Sequence, residues 1–168
     1  MSTSLPAGRR SSMDLPYGVV TVGIVGLAVV QLVTALWMAV DPRSFFDGLG
    51  GFGTYNEHYM GDAAAFQGGV GLALLAALRW PALRAGALAA VTAMLALHAV
   101  NHWIDLGEAH RDWVGVFDGI SLTVLTVLAV VLTLNAARGA DARGHHDHGS
   151  RDRRMTSDGG TGIRRADA

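Results

Sequence analysis

The chain has 168 residues, 51% of them hydrophobic and 16% charged, with a formal net charge of −1 and no cysteine. Soluble domains carry about a quarter charged residues, so this deficit argues against an ordinary globular protein. The missing thiols exclude disulfides, thiolate metal sites and thiol redox chemistry.

The charge is concentrated outside long apolar runs. Residues 1–16 form a polar N-terminal tail with Arg9 and Arg10, and the next charged side chain after Asp14 is Asp41. An apolar segment over about 17–40 is too long for a signal-peptide core and has no convincing small-residue cleavage site after it. It therefore reads as a retained membrane anchor. Ser11, Ser12, Met13 and Asp14 after the paired arginines disfavour a twin-arginine signal. Three further spans follow, over about 58–79, 82–104 and 113–134, each near the roughly 20 apolar residues that cross a bilayer. Residues 136–168 form a polar tail with too little apolar surface to fold alone, read as a disordered cytoplasmic tail. Its His145, His146 and His148 make a low-specificity metal motif, read as a solvated tail.

The fold expected is all-α, a four-helix transmembrane bundle. Arginine placement orients it. The N-terminal tail, the turn with Arg79 and Arg84, and the C-terminal tail are basic; the segments 41–61 and 105–112 are acidic. Four spans put both termini on one side, so the expectation is a bacterial cytoplasmic-membrane protein with both termini cytoplasmic. Trp37, Trp103 and Trp113 then fall at the outer boundary and Trp80 at the inner one, as an aromatic belt. The second span needs residues before Ala63 to reach full length, so its helix is expected to begin near Asn56, a plausible N-cap. Gly61, Ala65 and Gly69 recur every fourth position and suggest a close helix contact in lipid. The glycine-rich stretch around Phe52 reads as a cap over the outer face. No strand precedes it, so a nucleotide-binding loop is a poor reading.

Ionisable groups recur at one membrane depth. On a helix turning about 100° per residue, His98, His102 and Asp105 share one stripe of the third span. His58 and Asp62 make a second stripe at the start of the second, and Asp118 lies near the start of the fourth. The short turn between spans two and three makes them antiparallel neighbours, so the two stripes are expected to face each other. A charge in hydrocarbon costs roughly 2.5–3.5 kcal/mol, which favours inward-facing, mutually satisfied groups. Imidazole and carboxylate suit zinc, iron or manganese, with His58, Asp62, His98, His102 and Asp105 as candidate ligands and Asn56, Asn101 and Asp118 as supporting polar groups. Haem fits less well, because two histidines at i and i+4 cannot both be its axial ligands. Three readings stay open: a metal-binding or accessory protein, a redox-enzyme subunit using haem, iron or quinone, and a proton-coupled carrier acting as an oligomer. A purely structural hydrogen-bond network would place the same residues. Gln31 and Gln67 read as interhelical hydrogen-bonding groups. Ser121 lies near Asp118 without a nucleophile-elbow pattern, so no catalytic residue is assigned. The expected partners are the bilayer and a second copy or a membrane protein. Nucleic acid is not expected, because the basic residues lie in tails without interleaved aromatics.

The run Tyr55-Asn56-Glu57-His58-Tyr59-Met60-Gly61-Asp62, a glycine-rich span, and then His98, His102 and Asp105 resemble a group of small actinobacterial membrane proteins similar to the DoxX-like four-helix proteins. The resemblance covers roughly residues 41–135. It implies four helices in the cytoplasmic membrane and a loose link to quinone-coupled redox chemistry. The group carries a basic residue where this chain has Gly61, and no quinone motif is visible here.

Overall fold

A computed structural model describes the backbone of residues 15–158 and the side chains of residues 15–139. Five helices are joined by short connections: α1 (Tyr17–Val40), α2 (Pro42–Gly48), α3 (Glu57–Arg79), α4 (Arg84–Ile104) and α5 (Asp112–Asp158). Four helical segments, Tyr17–Val40, Glu57–Arg79, Pro81–Ile104 and Asp112–Gly139, are long and apolar enough to cross a membrane. The surface agrees with a multi-pass membrane protein, because large apolar side chains such as Val22, Phe66, Leu97 and Val124 point outward. All four tryptophans are among these exposed groups.

Proline and side-chain caps mark the boundaries. A residue before proline is driven out of the helical region: Asp41 before Pro42 has φ −142° and ψ 73°, and Trp80 before Pro81 has φ −121° and ψ 92°. Asp41 Oδ1 then accepts from Ser44 N at 3.0 Å and starts α2, with Pro42 in the first turn, where its missing N–H costs nothing. Asn56 caps α3 as expected, its Oδ1 accepting from Tyr59 N at 3.1 Å. A single 3-10 turn, Pro81–Leu83, leads into α4. No proline follows Pro81, and α5 continues past the apolar run to Asp158. The expectation of an unfolded tail concerns residues 159–168 as well, which lie outside the described residues, as do the side chains of His145, His146 and His148.

The helices pack chiefly as two pairs, α1 with α3 and α4 with α5. In the first pair, a Cβ built on Gly71 would lie 2.6 Å from Leu32 Cγ and 3.3 Å from the carbonyl oxygen of Ala28, and one on Gly68 would lie 3.7 Å from Ala35 Cβ. In the second, Trp103 lies across Gly119, Trp103 Nε1 donates to Thr123 Oγ1 at 3.0 Å, and Thr92 and Thr133 share a hydrogen bond at 2.9 Å.

Two sequence expectations need correction here. The segment 41–61 is not all loop, because Asp41 and Pro42 start α2 and Glu57 already opens α3. The stripe Gly61, Ala65, Gly69 is not the close contact of α3. Gly61 and Gly69 meet nothing within 4 Å, and α1 approaches instead over Ala64, Gly68 and Gly71, a neighbouring stripe that is equally small.

Ile24, Leu27, Leu74, Leu88, Leu95 and Leu132 are the largest fully buried side chains. At 1.5 Å per residue, most lie in the half of the bundle nearer the turn Pro81–Leu83, here the turn end. The opposite end, bearing α2 and residues 49–56 and 105–111, is the loop end. Lipid is as apolar as leucine, so close packing and interhelical hydrogen bonds, not hydrophobic burial, hold such pairs together.

Candidate functional site at the loop end

Three ionisable side chains come together between α4 and α5. His98 and His102, one turn apart on α4, place their Nε2 atoms 2.9 Å from each other. His102 Nδ1 lies 4.0 Å from Asp118 Oδ2, with the two side chains 14% and 15% exposed. Counted from the loop-end helix termini, His98 and Asp118 lie about 9 Å deep and His102 about 3 Å deep. Gly119 lets Trp103 lie on α5, which brings the two helices close enough for His102 and Asp118 to face each other.

The proton in this pair has a preferred place. One Nε2 must donate and the other accept. If His102 donated, its neutral ring would turn a lone pair on Nδ1 toward the Asp118 carboxylate. If His98 donates, His102 Nε2 accepts and its Nδ1–H points at Asp118. With Asp118 ionised, the second arrangement puts opposite partial charges together and favours His98 Nε2–H as donor with an Nδ1–H tautomer for His102. His102 Nδ1 otherwise has no hydrogen-bond partner within 3.5 Å.

The glycine-rich segment approaches this group through one ring. Phe52 meets the His102 ring edge-on at 4.5 Å between centroids. The segment carrying Phe52 is clipped to the α4–α5 connection. Gly51 O accepts from both His110 N and His110 Nδ1, each at 2.8 Å. Gly53 N donates to Glu108 O at 3.3 Å, and Phe52 and Ala109 form an antiparallel bridge. Phe46 of α2 packs edge-on against both His110 and Tyr55. The left-handed backbone of Gly53, φ 64°, makes the turn out of the clip. Gly51 has no room for a side chain, since a Cβ would lie 2.9 Å from Phe46 O and 3.2 Å from the His110 ring.

The other expected site residues lie elsewhere. His58 and Asp62 approach each other at 3.8 Å, but their side chains are 91% and 60% exposed, and neither has a close polar contact with His98 or His102. The expectation of two facing stripes fails because α3 packs on α1; the short turn makes α3 and α4 consecutive without pressing them together. The helix ends at Ile104, and Asp105 is its C-cap, with φ −92° and ψ 21° and its N–H still bonded to Asn101 O at 2.9 Å; no hydrogen bond or ion pair joins its side chain to His98 or His102. Asn101 is exposed. Asp118, read from sequence as a supporting group, is the carboxylate nearest the imidazole pair. Among the described residues, no group of three His, Asp or Glu side chains is arranged as a metal cage.

Phe52 and His110 escaped the sequence reading. The glycine-rich stretch pointed to a cap, but nothing in it indicated which aromatic ring would meet which helix. Deeper in the bundle, Gln31 is 3% exposed with Nε2 unpartnered, and Gln67 Oε1 is also unpartnered. The expected hydrogen bonds of these two glutamines across helices are not formed.

Compared with protein-family models, with curated proteins and with solved structures, the chain matches none.

Proposed function

We infer that this is a small multi-pass membrane protein whose loop end faces outward, with both termini cytoplasmic, and that His98 and His102 bind a divalent transition-metal ion there. The observation carrying this reading is the convergence of two Nε2 atoms at 2.9 Å. Two nitrogens each about 2.1 Å from one ion at a near-tetrahedral angle stand about 3.4 Å apart. The pair therefore needs to open by only about half an ångström for both lone pairs to meet one ion. For both Nε2 lone pairs to face the ion, the His98 proton moves from Nε2 to Nδ1, leaving each imidazole neutral. Asp118 Oδ2, 4.0 Å behind His102 Nδ1, closes to hydrogen-bond distance in this reading and then fixes tautomer and ring orientation as a carboxylate does at metal sites. Two nitrogen ligands leave positions open, so the ion exchanges readily and takes water or a ligand atom from a partner. Imidazole nitrogens favour zinc, iron or manganese in that order of fit.

The hydrogen bond between the imidazoles also supports a second reading, in which His98, His102 and Asp118 only hold α4 against α5. Zinc titration of the purified full-length chain by calorimetry separates the two, with His145, His146 and His148 replaced by asparagine in every sample. Binding of one zinc per chain that His98→Gln/His102→Gln abolishes supports the metal site. No zinc uptake, with the double variant melting lower, overturns it in favour of the structural network.

A further inference from the structure

The segment from Gly50 to Gly53 has no apolar core of its own. Gly50 N donates to Phe45 O at 2.9 Å and ties the segment's first residue to α2; beyond that its attachments are the hydrogen bonds of Gly51 and Gly53 to residues 108–110 and the ring contacts of Phe46, Phe52 and His110. Phe52 is the group this segment places against the His102 ring, at the shallow end of the imidazole pair. The His110 side chain bonds to the carbonyl that its own backbone N–H already holds. That oxygen can only accept, so His110 Nδ1 carries a proton. The second bond therefore fastens the segment without helping to place residue 110. Gly51 and Gly53 leave the segment free of side chains on either side of Phe52, which lets it swing as a short arm once the clip opens.

We propose that Gly50–Gly53 is a gated lid, with Phe52 as the plug over the His98/His102/Asp118 group and His110 as its latch. Access to the imidazoles from the loop end then requires the clip to His110 and Glu108 to break and Phe52 to leave the His102 ring. The purpose of such a gate rests on the metal-binding reading above, but its test does not, so zinc-binding failure and lid failure are separately visible.

The test is carbethoxylation of histidines by diethyl pyrocarbonate in the detergent-purified full-length protein, followed by peptide mass spectrometry. His58, with its side chain 91% exposed, is the internal reference. The reactivity of a protected group follows its local opening equilibrium, so in the unaltered chain His98 and His102 should react about tenfold or more slowly than His58. Phe52→Ala removes the plug. His110→Phe deletes the latch hydrogen bond but keeps an aromatic ring beside Phe46. Both variants should bring His102 labelling up toward the His58 rate, with helical circular dichroism and the His58 rate unchanged. Phe52→Leu, which keeps an apolar plug, should stay slow. Equal protection of His102 in Phe52→Ala and the unaltered chain would overturn the lid, as would labelling of His102 at the His58 rate before any substitution. Release by Phe52→Ala but not by His110→Phe would overturn the latch, and with it the gate.

Discussion

A methyl group at Gly115 would lie 2.9 Å from the carbonyl oxygen of Leu106 and 3.2 Å from Ala109 Cβ, whereas one at Gly69 meets nothing within 4 Å. The two glycines should therefore respond oppositely to alanine. Gly115→Ala forces the α4–α5 connection off the start of α5 and should lower stability by about 1–3 kcal/mol, the usual cost of overpacking. Gly69→Ala adds helix preference at an open site and should raise it by about 0.5–1 kcal/mol. Thermal melts in detergent compare them, and a loss from Gly69→Ala would mean that something covers that stripe. Asn56 belongs to the same scale. Its cap was visible in the sequence because an amide before an acidic first turn is a local signal. Asn56→Ala should cost about 1 kcal/mol and increase amide exchange over Tyr59 and Met60. That Gly71 rather than Gly69 meets α1, with Ala28 O 3.3 Å from its Cβ position, was not visible, since α3 carries two adjacent small-residue stripes and only the position of α1 decides between them.

At the scale of helices, Gln31 stands out. It lies on the packed face of α1, 3% exposed, with Nε2 unpartnered. A buried donor without a partner costs about 1–3 kcal/mol, and an apolar side chain of the same shape is neutral or better. Gln31→Met should therefore leave the bundle as stable as before or raise it by about 1 kcal/mol, read as a higher melting temperature. A marked drop would show that the amide finds a hydrogen-bond partner in the membrane. The sequence placed Gln31 inside a span correctly, but the span's hydropathy is the same whether its one amide side chain meets a neighbour or not. Pairing has the same limit. The short turn at Trp80–Leu83 implied that α3 and α4 lie side by side, while intimate contact went to α1 with α3 and α4 with α5. Turn length sets which helices follow one another; matched small and large side chains set which ones close up.

At the scale of the whole molecule, arginine distribution gives an orientation that labelling can test cleanly, because the chain has no cysteine of its own. Gly107 has open space around its Cα, and Ala82 is exposed at the opposite end. A membrane-impermeant maleimide should label Gly107→Cys in intact cells and Ala82→Cys only after permeabilisation. The reverse pattern would turn the His98/His102 site toward the cytoplasm and remove the outward-facing part of the proposed function.

The number of membrane-length helices, the breaks before Pro42 and Pro81 and the Asn56 cap were readable from the residues. They depend on hydropathy summed over a segment, on proline's effect on its predecessor, and on a side chain reaching its own backbone. The histidine pair was readable too, since i and i+4 on one helix always meet. What no local rule supplied was the identity of its neighbours. Asp118 reaches His102 because α5 closes on α4 over Gly119. Phe52 meets the His102 ring because Gly51 can approach His110 without a side chain. Each of these depends on how separate segments pack, and the same sequence periodicity is compatible with several packings until contacts between backbones choose one.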